Sequence, residues 1–490
     1  MNELVQKLYE IRNYSGRRVT EGLSDEIIET FLDDKDLQKT INTAFQSHRS
    51  LQRDYSEELQ MDEQDLCILL QKDYENFYPE KTRSPFVALS AFGPWIVTSH
   101  GGVLHDSAGY GMLGMGHSSS ILLESMSKPW VMANVMTPQF SQKRFADLLK
   151  KEIGHTKDSC PFSKFICMNS GSEAVSVAAR ICDIQTKKIM EKAENRNKKV
   201  KQLSLQGGFH GRTYRAAKVS DSTGKIYREN LYSFSDIDDL IIVPPNDLTA
   251  LKEIYKNAAD NNIFIEAFYM EPVMGEGVSG LAITPEFYNL ARRLTSEHGS
   301  MLIVDSIQAA LRAQGVLSII DYPGFENCEA PDCETYSKAL NAGQYPLSVV
   351  ALTKKFAELY VPGVYGNTMT TNPRALEVGC EVLENITPEI RKNIVEKGRE
   401  FKTKLQQLAD EYPEAIESVI GTGLIVNAEL NKDKFPVVAE NGFEYYLRTN
   451  GINMIHGGDN GIRFTPHFAI TSKEIDLIIS TIREGIIQLS

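Results

Sequence analysis

The sequence predicts an α/β protein in which a mostly parallel central sheet is covered by helices on both faces. Between residues 140 and 370, short apolar runs alternate with amphipathic stretches. A strand buried on both faces gives a continuous apolar run, whereas a helix between two strands shows a single apolar face. This alternation is typical of a parallel sheet whose strands are joined by helices. The apolar runs are residues 165–168, 240–243, 263–269, 301–304 and 349–352.

The chain length of 490 residues predicts more than one domain, because a single compact core rarely grows so large. Residues 1–84 are predicted as a helical N-terminal segment, since apolar residues such as Ile28 and Phe31 recur at helical intervals. Residues 85–139, rich in glycine and aromatic residues, are predicted as the N-terminal part of a small domain with loops close to a ligand. Residues 140–372 are predicted as the large domain.

Residues 373–490 are predicted as a smaller C-terminal α/β domain. Their pattern predicts a long helix at 389–411, a strand at 421–430 and a closing helix from Ser472. This order differs from the regular alternation of the preceding segment. It therefore indicates a separate domain.

Charge and hydropathy exclude two classes of partner. The formal net charge of −13 argues against a polyanion, because neutralising phosphates requires clustered lysine and arginine. The apolar runs are far shorter than the roughly 20 residues that span a bilayer. No basic N-terminal region is followed by an apolar stretch, so no secretory signal is visible. We therefore expect a cytoplasmic protein that binds neither nucleic acid nor a membrane.

The seven cysteines are odd in number and scattered, which does not suit a disulfide framework. Cys328 and Cys333 are close in sequence but have no histidine or cysteine ligand at zinc spacing nearby. The sequence therefore predicts reduced thiols and no metal site.

Ligands of an open α/β sheet bind at the carboxyl ends of its strands, so the residues that follow each apolar run are candidate site residues. Asn169-Ser-Gly-Ser-Glu-Ala174 follows the first run and leads into a helix. Gly171 and Ser172 then lie at a helix N-terminus, where backbone N–H groups and the helix dipole favour a phosphate. An ordinary serine N-cap also explains these residues.

Two further strand ends carry unusual side chains. Phe209 stands between glycines in Gly207-Gly-Phe-His-Gly-Arg-Thr213 and can lie flat against a planar ring, although a structural role stays open for it and for His210. Asp305 ends the run 301–304, where a buried carboxylate is costly unless a positive or hydrogen-bonding group meets it. A protonated pyridine nitrogen would be a suitable partner for this carboxylate, and the carboxylate would raise the pKa of that nitrogen. A helix cap or a buried ion pair is the alternative.

Lys338 lies in Tyr336-Ser-Lys-Ala-Leu340, before the loop Asn341-Ala-Gly-Gln-Tyr-Pro346 that glycine and proline punctuate. Most lysines are surface residues. A partly desolvated lysine can instead act as a nucleophile towards a carbonyl carbon. The sequence around Lys338 alone leaves both interpretations open.

These features occur along the chain in the order phosphate cradle, aromatic ring, carboxylate and lysine. Over roughly residues 85–490, the sequence resembles the class III, or ornithine-aminotransferase-like, family of fold-type-I pyridoxal-phosphate enzymes. Five motifs carry the resemblance: Asn169-Ser-Gly-Ser-Glu-Ala, Phe209-His-Gly-Arg-Thr, Glu271-Pro-Val-Met-Gly-Glu-Gly277, Asp305-Ser-Ile-Gln, and Ser337-Lys-Ala-Leu followed by Tyr345-Pro-Leu-Ser. The resemblance implies pyridoxal 5'-phosphate as the cofactor and residues 140–372 as the domain that binds it.

The resemblance also assigns cofactor-binding roles. Lys338 would hold the cofactor covalently, Asp305 would pair with its pyridine nitrogen, and Gln308 would reach its phenolic oxygen. The two faces of the ring would meet an aromatic and an aliphatic side chain, and the phosphate would meet the start of the helix. The implied cofactor-binding residues are Gly171, Ser172, Phe209, His210, Asp305, Ile307, Gln308, Lys338 and Thr368.

Three residues extend the implied site to the substrate and to a second subunit. Thr368 occupies the place from which a partner subunit touches the phosphate in this family, which implies a homodimer with shared active sites. Arg463 matches the arginine for the substrate α-carboxylate, and a guanidinium fork suits a carboxylate. Glu276 matches the acid that pairs with this arginine in the ornithine-aminotransferase branch.

The sequence departs from the family pattern near the cofactor. Ser306 stands where the family commonly has a glutamate, and Arg312 is displaced by one position from the usual arginine. Tyr365-Gly-Asn-Thr replaces the usual His-Gly-Ser/Thr-Thr loop, and the N-terminal segment is longer. These differences bear on substrate identity more than on the cofactor.

The resemblance implies ping-pong transfer of an amino group from an amino acid or ω-amine donor to a keto acid, with Lys338 and Asp305 as the catalytic residues. The same parts would also serve an amino-acid racemase, epimerase or aminomutase. A protein that keeps the fold without catalysis is disfavoured, because both of these residues are present.

Overall fold

The computed structural model describes residues 2–157, 159–235 and 238–490. The chain forms two compact units. The first unit comprises Met1–Ser120 and Glu396–Ser490, and the second comprises Ile121–Val395.

The second unit is built on a seven-stranded sheet with the order β4-β10-β9-β8-β7-β5-β6. Strand β10 runs antiparallel to both of its neighbours, and the other pairs are parallel. The mostly parallel sheet that the apolar runs predict is therefore confirmed. Its strands are β4 Phe162–Met168, β5 Lys199–Leu205, β6 Leu240–Val243, β7 Ile263–Met270, β8 Met301–Asp305, β9 Cys333–Tyr336 and β10 Ser348–Thr353.

Helices of the second unit cover both faces of this sheet. Ala267 and Tyr269 of β7 pack in one core cluster with side chains of the long helix α8. Phe268, which the strand pleat directs to the opposite face, contacts Phe287 of α12 with ring centroids 6.2 Å apart. The helices are α6 Ser120–Ser127, α7 Phe140–Glu152, α8 Gly171–Met190, α9 Tyr214–Lys218, α10 Asp221–Asn230, α11 Leu248–Asp260, α12 Pro285–His298, α13 Lys354–Ala357, α14 Pro373–Asn385 and α15 Pro388–Glu411, within which the unit boundary falls.

The first unit holds two four-stranded sheets, with the orders β1-β2-β3-β13 and β11-β12-β15-β14. The strands are β1 Ala88–Phe92, β2 Trp95–Thr98, β3 Val103–Asp106, β11 Ile416–Thr422, β12 Ile425–Leu430, β13 Ile452–Asn453, β14 Ile455–Gly457 and β15 Gly461–Phe464. The helices are α1 Glu3–Tyr14, α2 Asp25–Thr30, α3 Lys35–Asp54, α4 Ser56–Leu59, α5 Glu63–Gln71, α16 Phe443–Thr449 and α17 Ser472–Leu489.

The N-terminal helices pack on the first sheet of this unit rather than forming a separate body. The Trp95 indole donates a hydrogen bond of 2.7 Å to Asp34, and the Leu23 amide donates one of 2.8 Å to the Val103 carbonyl. Residues 88–106 form three antiparallel strands within a segment for which the sequence predicted loops. Glycines at the turns between these strands hid the short apolar runs.

The compact units and the predicted segments divide the chain differently at two places. Residues 121–139 and 373–395 lie in the second unit, although the prediction assigned them to the small domain. Residues 373–395 belong to the second unit because α14 packs against α7. A Cβ atom added at Gly379 would lie 2.6 Å from the Phe145 ring, so only glycine allows this close approach. Arg144 of α7 also forms an ion pair with Glu377 of α14.

Two sequence predictions concern the chain as a whole. No helix within the described ranges is both long and apolar enough to cross a membrane. All seven cysteines are free, as their scattered spacing predicted.

Candidate active site

Asp305 ends β8 and is 4% exposed. Its Oδ2 lies 2.8 Å from Nδ1 of His210, and its Oδ1 accepts hydrogen bonds of 3.2 Å from the Thr335 hydroxyl and the Ile307 amide. An ionised carboxylate offers about four acceptor positions. Three protein donors leave capacity for one more N–H group, which is what a protonated ring nitrogen would supply.

His210 lies buried against Asp305. Because a carboxylate only accepts, Nδ1 of His210 carries the proton in this pair. The other ring nitrogen lies 3.3 Å from the Ser204 hydroxyl on β5. Both nitrogens therefore have protein partners, and the imidazole orients the carboxylate of Asp305. The sequence predicted His210 as a cofactor-binding residue, and in the structure His210 contacts Asp305.

Lys338 begins the turn that follows β9, and its φ of +43° lies in the left-handed region that side chains larger than glycine rarely adopt. Backbone strain of this kind persists where the surrounding structure holds it, and it is common at functional sites. The Lys338 amine donates a hydrogen bond to the Gln308 side-chain carbonyl. The segments that follow β8 and β9 thus bring two predicted site residues, Gln308 and Lys338, into direct contact.

Helix α8 begins at Gly171 with a capping box. The Ser170 hydroxyl accepts from the Glu173 amide at 3.3 Å, and the Glu173 carboxylate accepts from the Ser170 amide at 3.0 Å. The serine-cap interpretation is therefore correct for Ser170. The N–H groups of Gly171 and Ser172 open the helix and have no acceptor within it, so they are suited to an anion.

The start of α8 also meets two other loops of the site. A Cβ atom at Gly171 would lie 2.6 Å from the Ile307 side chain, so glycine is required where Ile307 packs. The Ser172 hydroxyl accepts a hydrogen bond of 3.0 Å from the Arg212 amide, in the loop that follows β5. Its own proton stays available for donation to a phosphate oxygen.

Glu271 is a site residue to which the sequence argument gave no role. It is 3% exposed, directly after β7. Its two carboxyl oxygens accept from the Phe209 amide at 3.0 Å and from the Gly275 amide at 2.8 Å. Burial, with a further contribution from the charge of Asp305, raises its pKa to about 7. Glu271 thus fixes the backbone of Phe209, the predicted stacking residue. Its position directly after a strand was the sequence feature that could have identified it.

Glu334 on β9 is a second carboxyl group that the sequence argument missed. It accepts hydrogen bonds from the hydroxyls of Ser306 and Ser318 and from the Ile319 amide. It is fully buried, and burial raises its pKa to about 7. Ser306, which stands where the related family has an acid, therefore bonds to an acid on the neighbouring strand.

The structure places the remaining predicted residues on separate elements. The Thr368 carbonyl accepts a hydrogen bond of 3.2 Å from Asn134, and the adjacent Asn367 donates one of 2.8 Å to Glu173 on α8. Glu276 lies half-buried in the loop after β7 of the second unit, and Arg463 lies buried on β15 of the first unit. Pairing between Glu276 and Arg463 stays a prediction.

Comparison with known proteins decides the family. The family model for aminotransferase class III matches residues 77–486. The chain belongs to the class III aminotransferase family. The N-terminal segment up to residue 76 lies outside this match.

Relatives of this class III aminotransferase carry specific names. Ornithine aminotransferase 2 of Staphylococcus aureus strain MRSA252 is 30% identical over 404 residues, covering 81% of this chain and 93% of the relative. The ornithine aminotransferase of Staphylococcus carnosus strain TM300 is 28% identical over 404 residues, covering 82% and 94%. The structure of ornithine aminotransferase from Toxoplasma gondii ME49 has a TM-score of 0.74 at 22% identity and covers 89% of this chain and 98% of its own.

The class III aminotransferase is a pyridoxal-phosphate enzyme of fold type I, and its site residues fit that cofactor. Asp305 retains capacity for the protonated pyridine nitrogen, and the first amides of α8 are suited to the phosphate. Gln308 contacts the Lys338 amine, and its side-chain amide would be a suitable donor for the phenolic oxygen. Nothing in the comparisons favours the racemase, epimerase or aminomutase alternative.

Replacing Glu334 with glutamine is expected to change how the stability of this class III aminotransferase depends on pH. The raised pKa means that the contribution of Glu334 to stability is fully present below about pH 4.5 and is lost as pH rises through about 7. Glutamine cannot ionise, and its amide can still accept from Ser306 and donate to Ser318. Relative to the wild type, the variant should therefore gain stability between pH 5 and pH 8, by at most roughly 3 kcal/mol.

Thermal unfolding of both proteins at several pH values measures this difference. Glu326→Gln is the matched control, because Glu326 is exposed and a hydrogen bond from the Gly324 amide lowers its pKa. Its difference from the wild type should stay constant over the same range. A Glu334→Gln profile parallel to the wild type would show that Glu334 does not titrate as a buried acid.

Proposed function

We propose that this enzyme moves an amino group from an ornithine-like diamino acid to a 2-oxo acid, in a homodimer whose subunits share their active sites. The observation that carries the substrate is Glu276, which stands where the ornithine-aminotransferase branch has its acid. The names of the Staphylococcus relatives support the same substrate class.

The described residues supply binding, orientation and proton transfer for this reaction. Pyridoxal phosphate, when bound, withdraws electrons from the substrate carbon and carries the amino group between the two half-reactions. The Lys338 amine would hold the cofactor covalently, and its Nζ would accept and return the proton during transfer. Asp305, which His210 and Thr335 orient, keeps the pyridine nitrogen protonated. Gln308 stays beside the lysine nitrogen and can donate to the phenolic oxygen.

The family resemblance assigns Arg463 and Glu276 to the substrate. A guanidinium binds a carboxylate through two parallel hydrogen bonds, so Arg463 is assigned to the carboxylate of the donor or of the 2-oxo acid. Glu276 adds a negative charge, which favours a substrate that carries a second amino group.

Single-turnover kinetics with one donor at a time test the substrate class. The cofactor-loaded enzyme is mixed with L-ornithine, N-acetyl-L-ornithine, L-lysine, 4-aminobutyrate or L-alanine without a keto acid, and the change in cofactor absorbance is followed. We expect L-ornithine to react at least about tenfold more efficiently than N-acetyl-L-ornithine, 4-aminobutyrate and L-alanine, which corresponds to about 1.4 kcal/mol of discrimination.

Two results would contradict the proposal in different ways. Equal or faster reaction of 4-aminobutyrate or L-alanine would assign another donor to the same chemistry. Continued conversion of a single amino acid beyond one equivalent of enzyme, with formation of its enantiomer, would indicate a racemase. An ornithine reaction that stops at one equivalent until a 2-oxo acid is added supports transamination.

An exposed apolar surface on the second unit supports the homodimer. We call this surface the 131–140 patch, and its apolar members are Val131, Met132, Val135, Met136 and Phe140, exposed by 71%, 48%, 63%, 85% and 94%. Contiguous exposed apolar side chains on this scale mark an interaction site. The patch adjoins Thr368, since Asn134 bonds to its carbonyl. A second copy of the chain covering the patch would bring a partner to the segment predicted to complete the shared site.

Mixing two impaired variants tests whether Thr368 serves the site of the partner subunit. In a mixed dimer of Lys338→Ala and Thr368→Ala chains, donation across the interface places both defects in one site and leaves the other site native. Donation within one chain leaves one defect in each site. We therefore expect the activity of the mixture to rise above that of either parent, because two-fold dimers share both sites about one axis.

Controls establish that subunits exchange. Light scattering should give twice the chain mass of 54.9 kDa for each parent and for the mixture, and differently tagged chains should co-purify. With exchange verified and both parents impaired, a lack of gain would show that Thr368 acts in its own chain. The hydrogen bond between Asn367 and Glu173 would then explain how the Thr368 segment reaches the start of α8 in its own chain.

A cytoplasmic location completes the proposal. All seven cysteines are free, and thiols stay reduced in the cytoplasm. The net charge of −13 disfavours association with nucleic acid or with anionic membrane surfaces.

A further inference from the structure

We propose that His105, His467 and Glu474 form a zinc site within the first unit. These residues come from strand β3, from the segment after β15 and from the first turn of α17. The Nε2 atoms of the two imidazoles lie 3.1 Å and 2.9 Å from the same carboxyl oxygen, Oε1 of Glu474. The three ligand atoms lie within 4.8 Å of one another.

The donor set matches the preference of zinc. Two imidazoles and one carboxylate, completed by water, are a known tetrahedral zinc set with metal–ligand distances of about 2.0–2.2 Å. Ligand atoms of such a site lie roughly 3.4 Å apart. The two nitrogen-to-oxygen separations here are slightly shorter, so a small outward shift of each side chain accommodates the ion.

Two of the three ligands, His105 and Glu474, are also oriented by outer hydrogen bonds, as zinc ligands commonly are. Nδ1 of His105 lies 2.8 Å from the Ser107 hydroxyl, and its ring packs edge-on against Trp95. Oε2 of Glu474 accepts from the Thr471 amide at 2.7 Å and from the Thr471 hydroxyl at 2.6 Å. These contacts leave Oε1 of Glu474 and both Nε2 atoms close together.

Burial limits access to the three side chains. The side chains of His105 and Glu474 are 0% and 5% exposed, whereas that of His467 is 13% exposed and offers a route for the ion. Oε1 of Glu474 lies within hydrogen-bond distance of both imidazoles, and a bound ion would replace these two hydrogen bonds. A zinc ion satisfies all three ligand atoms and ties β3 to α17.

Zinc binding to the cofactor-loaded enzyme tests the proposal directly. After treatment with a chelator and dialysis against zinc chloride, mass spectrometry should find about one zinc ion per chain. Zinc chloride should also raise the Tm by a few degrees, because an ion that binds only the folded state stabilises it. Less than roughly a fifth of an ion per chain, with an unchanged Tm, would show that hydrogen bonds alone hold the cluster.

Variants locate the ion. His467→Gln removes the most exposed ligand and should lose the zinc and the Tm rise. His456→Gln is the matched control, because His456 pairs with Glu444 in the same unit without a second histidine. It should keep both. Zinc retained by a folded His467→Gln protein, or lost equally in the control, would overturn the assignment, and the wild-type stoichiometry decides the question even where a variant fails to fold.

Discussion

Lys338→Ala is expected to abolish turnover while leaving the fold intact. The variant loses the amine that holds the cofactor and the base that moves the proton, and a positioned base alone contributes about 10² to 10⁴ in rate. We therefore expect a loss of at least about 10⁴ in kcat. The visible absorbance of the lysine-bound cofactor should also disappear, which is a readout independent of activity.

Two further variants separate the roles of this side chain. Lys338→Arg keeps a positive charge near Gln308 but cannot supply a neutral amine, so it should be as inactive as the alanine variant. Lys354→Ala removes an exposed lysine that follows β10 and should keep full activity. Wild-type turnover in Lys338→Ala would place the nucleophile elsewhere.

Much of the central sheet was predictable because its strands are buried on both faces. The runs 240–243 and 301–304 agree with β6 and β8 to within one residue. Strand β9 gave no such run, since Glu334 and Thr335 interrupt its apolar pattern. A buried acid in a strand is explained only by its hydroxyl and amide partners on other elements, and a single sequence does not show them.

Turns explain the errors in the first unit. The segment 421–430 was predicted as one strand, but Gly423, with a φ of +54°, reverses the chain between β11 and β12. A glycine inside an apolar run indicates either a bulge or a turn, and the pattern alone does not separate them.

The contacts within the candidate site were likewise only partly predictable from the sequence. The strand-end rule located Asp305 and the start of α8, because a parallel sheet brings these points together. It did not find Thr335, whose hydroxyl reaches Asp305 from the neighbouring strand, nor the role of Glu271. The cluster of His105, His467 and Glu474 escaped the search for metal spacing, because His105 is far in sequence from the other two.

Asp305→Ala is expected to lower kcat by about 10² to 10⁴. Removing the carboxylate leaves the protonated ring nitrogen without its partner, at a cost of about 3 to 5 kcal/mol by analogy with broken buried ion pairs. Transition-state theory converts each 1.4 kcal/mol into about a factor of ten. The vacated space also leaves His210 without its acceptor, so the alanine variant should lose some stability as well.

Asp305→Asn separates charge from shape. Its amide oxygen can still accept from Thr335 and from the Ile307 amide, so the Tm should stay closer to that of the wild type than in the alanine variant. Its neutral side chain no longer raises the pKa of the ring nitrogen, and activity should therefore fall nearly as far as in Asp305→Ala. A loss below about tenfold in the asparagine variant, with the cofactor bound, would mean that Asp305 shapes the site rather than holding a proton there.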